Sequence, residues 1–148
     1  MRYSHRLSDA VHILAYIDIY HDSDLSSTAI AASVESNPAL VRRLMVALRR
    51  AGLLATQQGT AAPRLARQPA KISLLDVYQA VEEEGNLLHV DDKTNPKCVV
   101  GGNIQETLRV AYDEVQRAAE TQMAQITLAS LVDDIWTRER EKKANGNR

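Results

Sequence analysis

The sequence has few of the features that would set it apart from an ordinary globular protein. It has only six glycines and four prolines in 148 residues, which excludes collagen-like and low-complexity chains. No apolar run approaches the about 18 residues of a membrane span, and His5 and Asp9 interrupt the N-terminal stretch where a signal peptide would be unbroken. We therefore expect a cytoplasmic protein of one domain, or of one domain with a helical extension.

Cysteine is almost absent, since Cys98 is the single one in the sequence. This excludes an intrachain disulfide framework and a four-cysteine zinc site. Catalytic signatures are also missing: there is no Gly-rich phosphate loop, no HExxH motif and no serine, histidine and aspartate in a hydrolase context. The consecutive glutamates at residues 82–84 point in different directions on a helix, which is typical of solvated side chains. The sequence therefore predicts that the protein is not an enzyme.

Acidic residues are missing from residues 36–75, which have a formal charge of +7, while the rest of the chain carries −8. The basic residues of this segment are Arg42, Arg43, Arg49, Arg50, Arg64, Arg67 and Lys71. A basic patch on an otherwise acidic protein indicates an anionic partner such as nucleic acid, because phosphate contacts dominate that kind of binding. A solvated helix face is the alternative that the charge alone leaves open.

Apolar residues at three- and four-residue steps predict a first helix over residues 6–20. A second helix of about two turns follows the hydroxyl side chains of residues 26–28, which are good helix caps. Asn37 is a capping residue and Pro38 suits a first helical position, so a third helix is predicted to begin there and to end just before Gly52.

The pattern changes after Gly52. Residues 53–58 and 64–67 are predicted to pair as a small hairpin, with a turn at residues 59–63. Ser73, with Asp76 three residues later, then caps a fourth helix. The order helix, helix, helix, hairpin is that of a winged helix-turn-helix, so the predicted fold class is mainly α with a small β-wing.

The third helix has two different faces on a helical wheel. The predicted core face consists of Leu40, Leu44, Ala47, Leu48 and Ala51. The opposite face carries Arg42, Arg43, Arg49 and Arg50 together with Ala39 and Val46. Such a face suits the DNA major groove, where arginine binds guanine edges or phosphates and small apolar side chains contact thymine methyl groups. A plain helical core is the alternative.

Residues 85–102 are the least regular stretch and are predicted to form a loop. A long helix follows from Asn103 to Gln125, and its about 22 residues would span roughly 33 Å. That length exceeds what the N-terminal body needs, so we expect the helix to pack partly on a second subunit. The predicted dimer interface is the apolar stripe Ile104, Leu108, Ala111, Val115 and Ala118.

Thr127 caps a final helix that is predicted to end at Trp136, where the tryptophan anchors it. The predicted organisation is a winged-helix DNA-binding domain (residues 1–84), a sensor or linker loop (85–102), dimerisation helices (103–137) and a flexible tail (138–148).

Several short stretches match a known family pattern in the right order, over roughly residues 1–136. They are MRYS at residues 1–4, IA at 30–31, LMVALRRAGL at 44–53, ISLLDV at 72–77, AVE at 80–82 and TLASL at 127–131. Together they resemble the Rrf2 family of bacterial transcription regulators, of the IscR, NsrR and CymR type. The resemblance implies a homodimer of winged-helix subunits, crossed by the long helix, that binds a palindromic operator.

The sequence departs from this family at the wing. Many members have Gly-Gly-Tyr at the wing tip, whereas this chain has TAAPR at residues 60–64, so Arg64 stands in place of a tyrosine. Gln58 occupies a position where some members carry an arginine. Minor-groove contacts are therefore expected to differ from those of the family.

A second departure concerns the metal. The iron–sulfur members hold their cluster with three cysteines in the loop before the long helix, and this loop has only Cys98. We therefore expect no conventional cluster and no other cofactor. Cys98 is the candidate for a redox sensor, helped by Lys97 and the following helix start, while a small buried cysteine is the alternative. A metal site formed by His89, Asp91, Asp92 and Cys98 is a third possibility with irregular spacing.

The sequence as a whole predicts a homodimeric DNA-binding transcriptional regulator, a repressor, whose third helix contacts the operator. The candidate base-reading residues are Asn37, Ala39, Arg42 and Arg43. The candidate phosphate contacts are Ser4, Arg6, Ser27 and Thr28. Flanking contacts are predicted for Arg49, Gln58, Arg64 and Arg67. The alternative is a helical dimer that acts as a protein-binding adaptor without binding DNA, which the altered wing tip would favour.

Overall fold

A computed structural model describes residues 4–56, 59 and 62–146. Its elements in chain order are α1 (Arg6–Ile19), α2 (Ser27–Val34), α3 (Pro38–Arg50), β1 (Leu54–Thr56), β2 (Pro63–Leu65), a 3-10 turn (Pro69–Lys71), α4 (Leu74–Val81), α5 (Ile104–Gln125) and α6 (Leu128–Gly146). The chain is mainly helical with one two-stranded antiparallel sheet, as the sequence predicts.

The core lies between α1, α3 and α4, and β1 closes one side of it. Ile13 and Leu14 of α1, Leu48 of α3 and Ile72 before α4 have no exposed surface. Burying each of these side chains stabilises the fold by roughly 1.5–3 kcal/mol relative to leaving it in water. This core holds α3 from behind and leaves its opposite face outside.

Side chains cap α2 and α3 at their predicted starts. Ser26 Oγ accepts a hydrogen bond from the Ala29 amide at 3.2 Å, and Asn37 Oδ1 accepts one from the Leu40 amide at 2.8 Å. Between the two helices, Glu35 turns the chain with a φ of 57°, in the left-handed region. The short connection fixes α3 against α2.

The buried face of α3 is rotated from the predicted one. Leu44 and Leu48 are buried as predicted, but Val41 and Met45 join them, while Ala51 is exposed. Leu40 and Ala47 are only partly buried. The physical reason is that α3 packs on α1, α2 and α4 at once, so its buried arc is set by three neighbours rather than by the strongest run of leucines.

β1 and β2 form the hairpin with Leu54 opposite Leu65 and Thr56 opposite Pro63. The prediction that Pro63 belongs to the turn is wrong, because Pro63 is buried and begins β2. Proline lacks an N–H but is tolerated at the first residue of a strand. Residues 57, 58, 60 and 61, which include the predicted wing contact Gln58, lie outside the described residues.

α4 and α6 are joined at their starts. Ser73 and Asp76 form the predicted capping box of α4. The Leu74 amide donates to the Ile126 carbonyl and the Leu128 amide donates to the Ile72 carbonyl, both at 2.8 Å. These bonds hold the turn between α5 and α6 against the N-terminal body.

α6 is longer than predicted: it continues past Trp136 to Gly146, so the prediction that the helix ends at Trp136 is wrong. No glycine or proline lies between Trp136 and Gly146. Ion pairs four residues apart, Arg138 with Asp134 and Lys143 with Glu139, favour continued helix on the exposed side. The segment predicted as a flexible tail is therefore helical over residues 138–146.

α5 matches its predicted bounds and contacts the body along one side. Gln116 makes the main polar connection: its Nε2 donates to the Gly85 carbonyl at 3.0 Å and its Oε1 accepts from the Leu87 amide at 2.9 Å. The Tyr78 hydroxyl also donates to the Gly85 carbonyl, at 2.9 Å. α5 is thus fixed to the end of α4 and to the start of the loop.

Candidate nucleic-acid interface

The outer face of α3 is solvent-exposed and basic. Arg42, Arg43, Ala39 and Val46 are all exposed there, as predicted, on the side opposite the buried leucines. α3 has no acidic residue. The face therefore combines positive charge with small apolar side chains.

The start of α2 lies beside this face. Arg42 Nη1 donates to Ser27 Oγ at 3.2 Å, which links the two helices. Ser26 Oγ accepts a hydrogen bond from the Ala29 amide and not from the two amides before it. The Ser27 and Thr28 amides therefore have no acceptor among the described residues. The predicted contacts Ser27, Thr28 and Arg42 are thus brought together, and their hydrogen-bond donors suit an anion.

A groove of about 810 Å³ separates the outer face of α3 from the end of α4. Arg43, Val46 and Arg50 line it from α3, and Gln79 and Glu83 are among the residues that line it from the α4 side. Sequence reasoning missed this second wall, since it treated the glutamates simply as solvated side chains.

Ser4 and Arg6, predicted as phosphate contacts, are held by the α4 end. Arg6 Nε donates to the Val81 carbonyl at 2.7 Å, and its Nη2 lies 4.0 Å from Glu83 Oε1. Ser4 Oγ donates to Glu82 Oε1 at 3.4 Å. A phosphate would have to compete with these carboxylates, so Arg6 is less available than the α3 arginines.

The remaining predicted contacts are spread over the end of α3 and the hairpin. Arg49 is exposed in the last turn of α3, and Arg64 is exposed on β2. Arg67 makes an ion pair with Asp76 at 3.3 Å, so its charge is partly neutralised by the α4 capping box. Asn37 uses its side-chain oxygen as a cap, which leaves its amide nitrogen for a partner.

Comparison with known proteins identifies the family of this chain. The family model of the Rrf2 regulators, described as iron-dependent transcriptional regulators, matches residues 3–134. The chain belongs to the Rrf2 family. Members of this family are transcriptional regulators and not enzymes, and this Rrf2 protein is a DNA-binding transcriptional regulator.

Relatives support the assignment over most of the chain. YwnA of Bacillus subtilis strain 168, which is named as an HTH-type transcriptional regulator, is 40% identical over 131 residues, covering 88% of this chain and 97% of YwnA. A crystal structure described as a DNA-binding protein has 39% identity and a TM-score of 0.70, covering 85% of this chain and 97% of that one. T. potens IscR shares the fold, with 20% identity and a TM-score of 0.66, covering 91% of this chain and 88% of that one.

The family description mentions iron, and the loop before α5 is where side chains that bind a metal ion would be expected. Nowhere in the described residues do three His, Cys, Asp or Glu side chains form a group that could hold a metal ion. The loop has one cysteine, Cys98, and His89 pairs with Glu84 at 3.4 Å. The structure therefore does not bring together the metal site that His89, Asp91, Asp92 and Cys98 would form.

Cys98 is exposed, so the alternative of a buried structural cysteine is wrong. The backbone amides of Gly101 and Val100 point at its sulfur and lower the pKa of the thiol. The turn is tight: a Cβ at Gly101 would lie 2.2 Å from the Asn95 carbonyl oxygen, so only glycine fits there.

Within the described part of the chain, no helix is long and apolar enough to cross a membrane.

Proposed function

We propose that this Rrf2 protein is a cytoplasmic homodimeric repressor that binds a palindromic operator through the outer face of α3. The observation that carries the proposal is this exposed face, on which Arg42 and Arg43 flank the small side chains of Ala39 and Val46. Arginines can bind guanine edges or phosphates in the major groove, and small apolar groups can contact thymine methyls. The adjacent start of α2 supplies backbone amides and hydroxyls for a flanking phosphate.

The second subunit is supported by α5. None of its 22 residues is fully buried in the single protomer. On the predicted stripe, Ala111, Val115 and Ala118 are exposed, while Ile104 and Leu108 are partly covered. A two-fold dimer that buries this stripe would carry two symmetry-related copies of α3, which suits an operator with matching two-fold symmetry.

Cys98 is the position for a covalent signal within this proposal. Its exposed thiol, with the pKa lowered by backbone amides, favours the thiolate that attacks peroxide. Attack on one peroxide oxygen would give the sulfenic acid and release hydroxide. The added bulk beside the tight Gly101 turn would alter the loop that precedes α5 and thereby the spacing of the two α3 helices.

The cofactor part of the proposal is that DNA binding needs no conventional iron–sulfur cluster. Protein purified without oxygen should bind DNA equally well with and without an iron chelator, because no multi-cysteine donor set is present. A chelator-sensitive complex would contradict this part.

The test of DNA binding is a mobility-shift titration with the duplex upstream of the protein's own gene and a scrambled duplex, each at two salt concentrations. Wild type should prefer the upstream duplex. The double variant Arg42→Ala/Arg43→Ala should lose roughly 1 to 3 kcal/mol for each base contact removed. The control Arg138→Ala/Arg140→Ala makes the same charge change on α6 and should bind like wild type.

Two results would overturn the proposal. One is a folded Arg42/Arg43 double variant with unchanged affinity. The other is a wild type that binds neither duplex, which would favour the protein-binding adaptor instead.

A further inference from the structure

We infer that Arg42 and Arg43, although adjacent, have different tasks: Arg42 is a sequence-independent phosphate contact and Arg43 is the guanine-reading residue of each half-site. The inference rests on the proposed function, because it assumes that α3 contacts DNA. It goes further by naming one arginine as the determinant of sequence preference.

The environment of Arg42 fixes where its guanidinium lies. Its Nη1 donates to Ser27 Oγ at 3.2 Å, so the side chain lies beside the first residue of α2 instead of extending from α3. Ser27 belongs to a different helix and is partly buried, which makes it a firm anchor. The remaining guanidinium donors of Arg42 stay on the exposed face of α3, where Arg42 also lines the groove.

The environment of Arg43 is different. Within the described part of the chain, its guanidinium makes no hydrogen bond or ion pair. It lies about 100° further round the helix than Arg42. Both arginines line the open groove, so what distinguishes Arg43 is that it lacks an internal partner among the described residues. All five of its N–H donors are therefore available. Two of them can bind guanine O6 and N7 without breaking a hydrogen bond within the protein.

The neighbours of Arg43 indicate what accompanies the guanine. Ala39 and Val46 lie on the arc of the helix between Arg42 and Arg43, within four residues of Arg43, so both are next to it on the surface. Ala39 and Val46 are exposed and offer only methyl groups. Such side chains favour the thymine C5-methyl group over a polar base edge. The half-site that this surface would prefer therefore has a guanine with thymine beside it.

The experiment uses the full chain and the duplex that the wild type selects from a random-sequence pool. Each guanine of the half-site is replaced in turn by 7-deazaguanine, which keeps base pairing but lacks the N7 acceptor. At one position the wild type should lose about 5-fold or more in affinity, in line with the loss of part of a bidentate contact. Arg42→Ala should show the same loss there, whereas Arg43→Ala should show none.

A second readout separates the phosphate role. Arg42→Ala should weaken selected and scrambled duplexes by a similar factor, and the slope of log affinity against log salt should fall by about 1. Arg42→Lys should restore most of this binding, because a phosphate accepts a point charge. Arg43→Ala should lower the preference for the selected duplex over the scrambled one by roughly 5- to 150-fold. Arg43→Lys should recover only a small part of this preference, whereas Arg42→Lys recovers most of the lost affinity, because lysine cannot make the bidentate contact.

The outcomes distinguish the inference from the proposed function. If the wild type selects no sequence and binds no duplex, the proposed function fails. If the wild type selects a duplex but Arg42→Ala abolishes the 7-deazaguanine effect, or Arg43→Ala weakens all duplexes equally, the division of tasks is wrong while DNA binding stands. Ser27→Ala provides the geometric check, because it should weaken binding to both duplexes in the direction of Arg42→Ala.

Discussion

Replacing Val115 by aspartate tests whether α5 holds the two subunits together. In the protomer 48% of Val115 is exposed, so the change should leave the fold intact, with a free energy of unfolding within about 0.5 kcal/mol of the wild type. In the proposed dimer the same position lies in an apolar seam. The variant should therefore be folded and monomeric.

The size of the effect follows from burial and symmetry. Full burial of a valine is worth about 1.5–3 kcal/mol, so covering the exposed half contributes about 1 kcal/mol in each subunit. An aspartate that loses its water costs several kcal/mol more unless it finds a partner. Because a two-fold interface contains the residue twice, the total is at least about 4 kcal/mol, or about a thousandfold in the dimer dissociation constant.

The assay is sedimentation equilibrium at micromolar concentration, together with circular dichroism melting. The matched control is Val110→Asp, since Val110 is 57% exposed on the same helix but lies about 140° away from Val115. Val110→Asp should remain dimeric. Dissociation of both variants, of neither, or a monomeric wild type would refute the assignment of the stripe.

Three further predictions concern the protomer. Asn37→Ala removes the cap of α3 and should lower the free energy of unfolding by about 1 kcal/mol, whereas Asn37→Asp should restore it; equal melting temperatures for all three proteins would show that the cap contributes nothing. Leu48→Ala, at a site with no exposed surface, should cost about 2–5 kcal/mol in urea unfolding, and a loss below about 1 kcal/mol would contradict the described core. The pKa of the Cys98 thiol is lowered, so its alkylation by iodoacetamide should reach half the maximal rate at a lower pH than alkylation of a free cysteine does. Peroxide should weaken operator binding by the wild type but not by Cys98→Ser. An equal response of the two proteins would show that another group is the sensor.

Local signals account for most of what the sequence predicts correctly. The Asn37 cap with Pro38 after it fixes the start of α3, and Ser73 with Asp76 fixes the start of α4, because both motifs act within four residues. The bounds of α5 follow from one uninterrupted apolar period. The outward arginine face of α3 follows from the same periodicity.

Long-range packing explains what the sequence did not predict. The partnership of Arg6 with Glu83 joins residues far apart in the chain, and no local pattern indicates it. No sequence motif marks Gln116, yet its side chain connects α5 to the backbone of Gly85 and Leu87. The arc that α3 buries, with Val41 in it, depends on three neighbouring helices.

The same reasoning explains the end of α6. The high charge of residues 138–148 predicts a flexible tail, but the oppositely charged residues are spaced four apart, and this spacing suits a helix. Charge density alone therefore gave the wrong boundary, and charge spacing would have given a better one.

The measurement that tests the central claim most directly is a hydroxyl-radical footprint of the wild type on its selected duplex. Two α3 helices related by a two-fold axis should protect two equivalent patches, whose centres lie one helical turn of about 10 base pairs, or a whole multiple of it, apart. The Arg42→Ala/Arg43→Ala variant should protect neither patch at the same concentration. A single patch, or protection that persists in the double variant, would contradict a homodimer that binds DNA through α3.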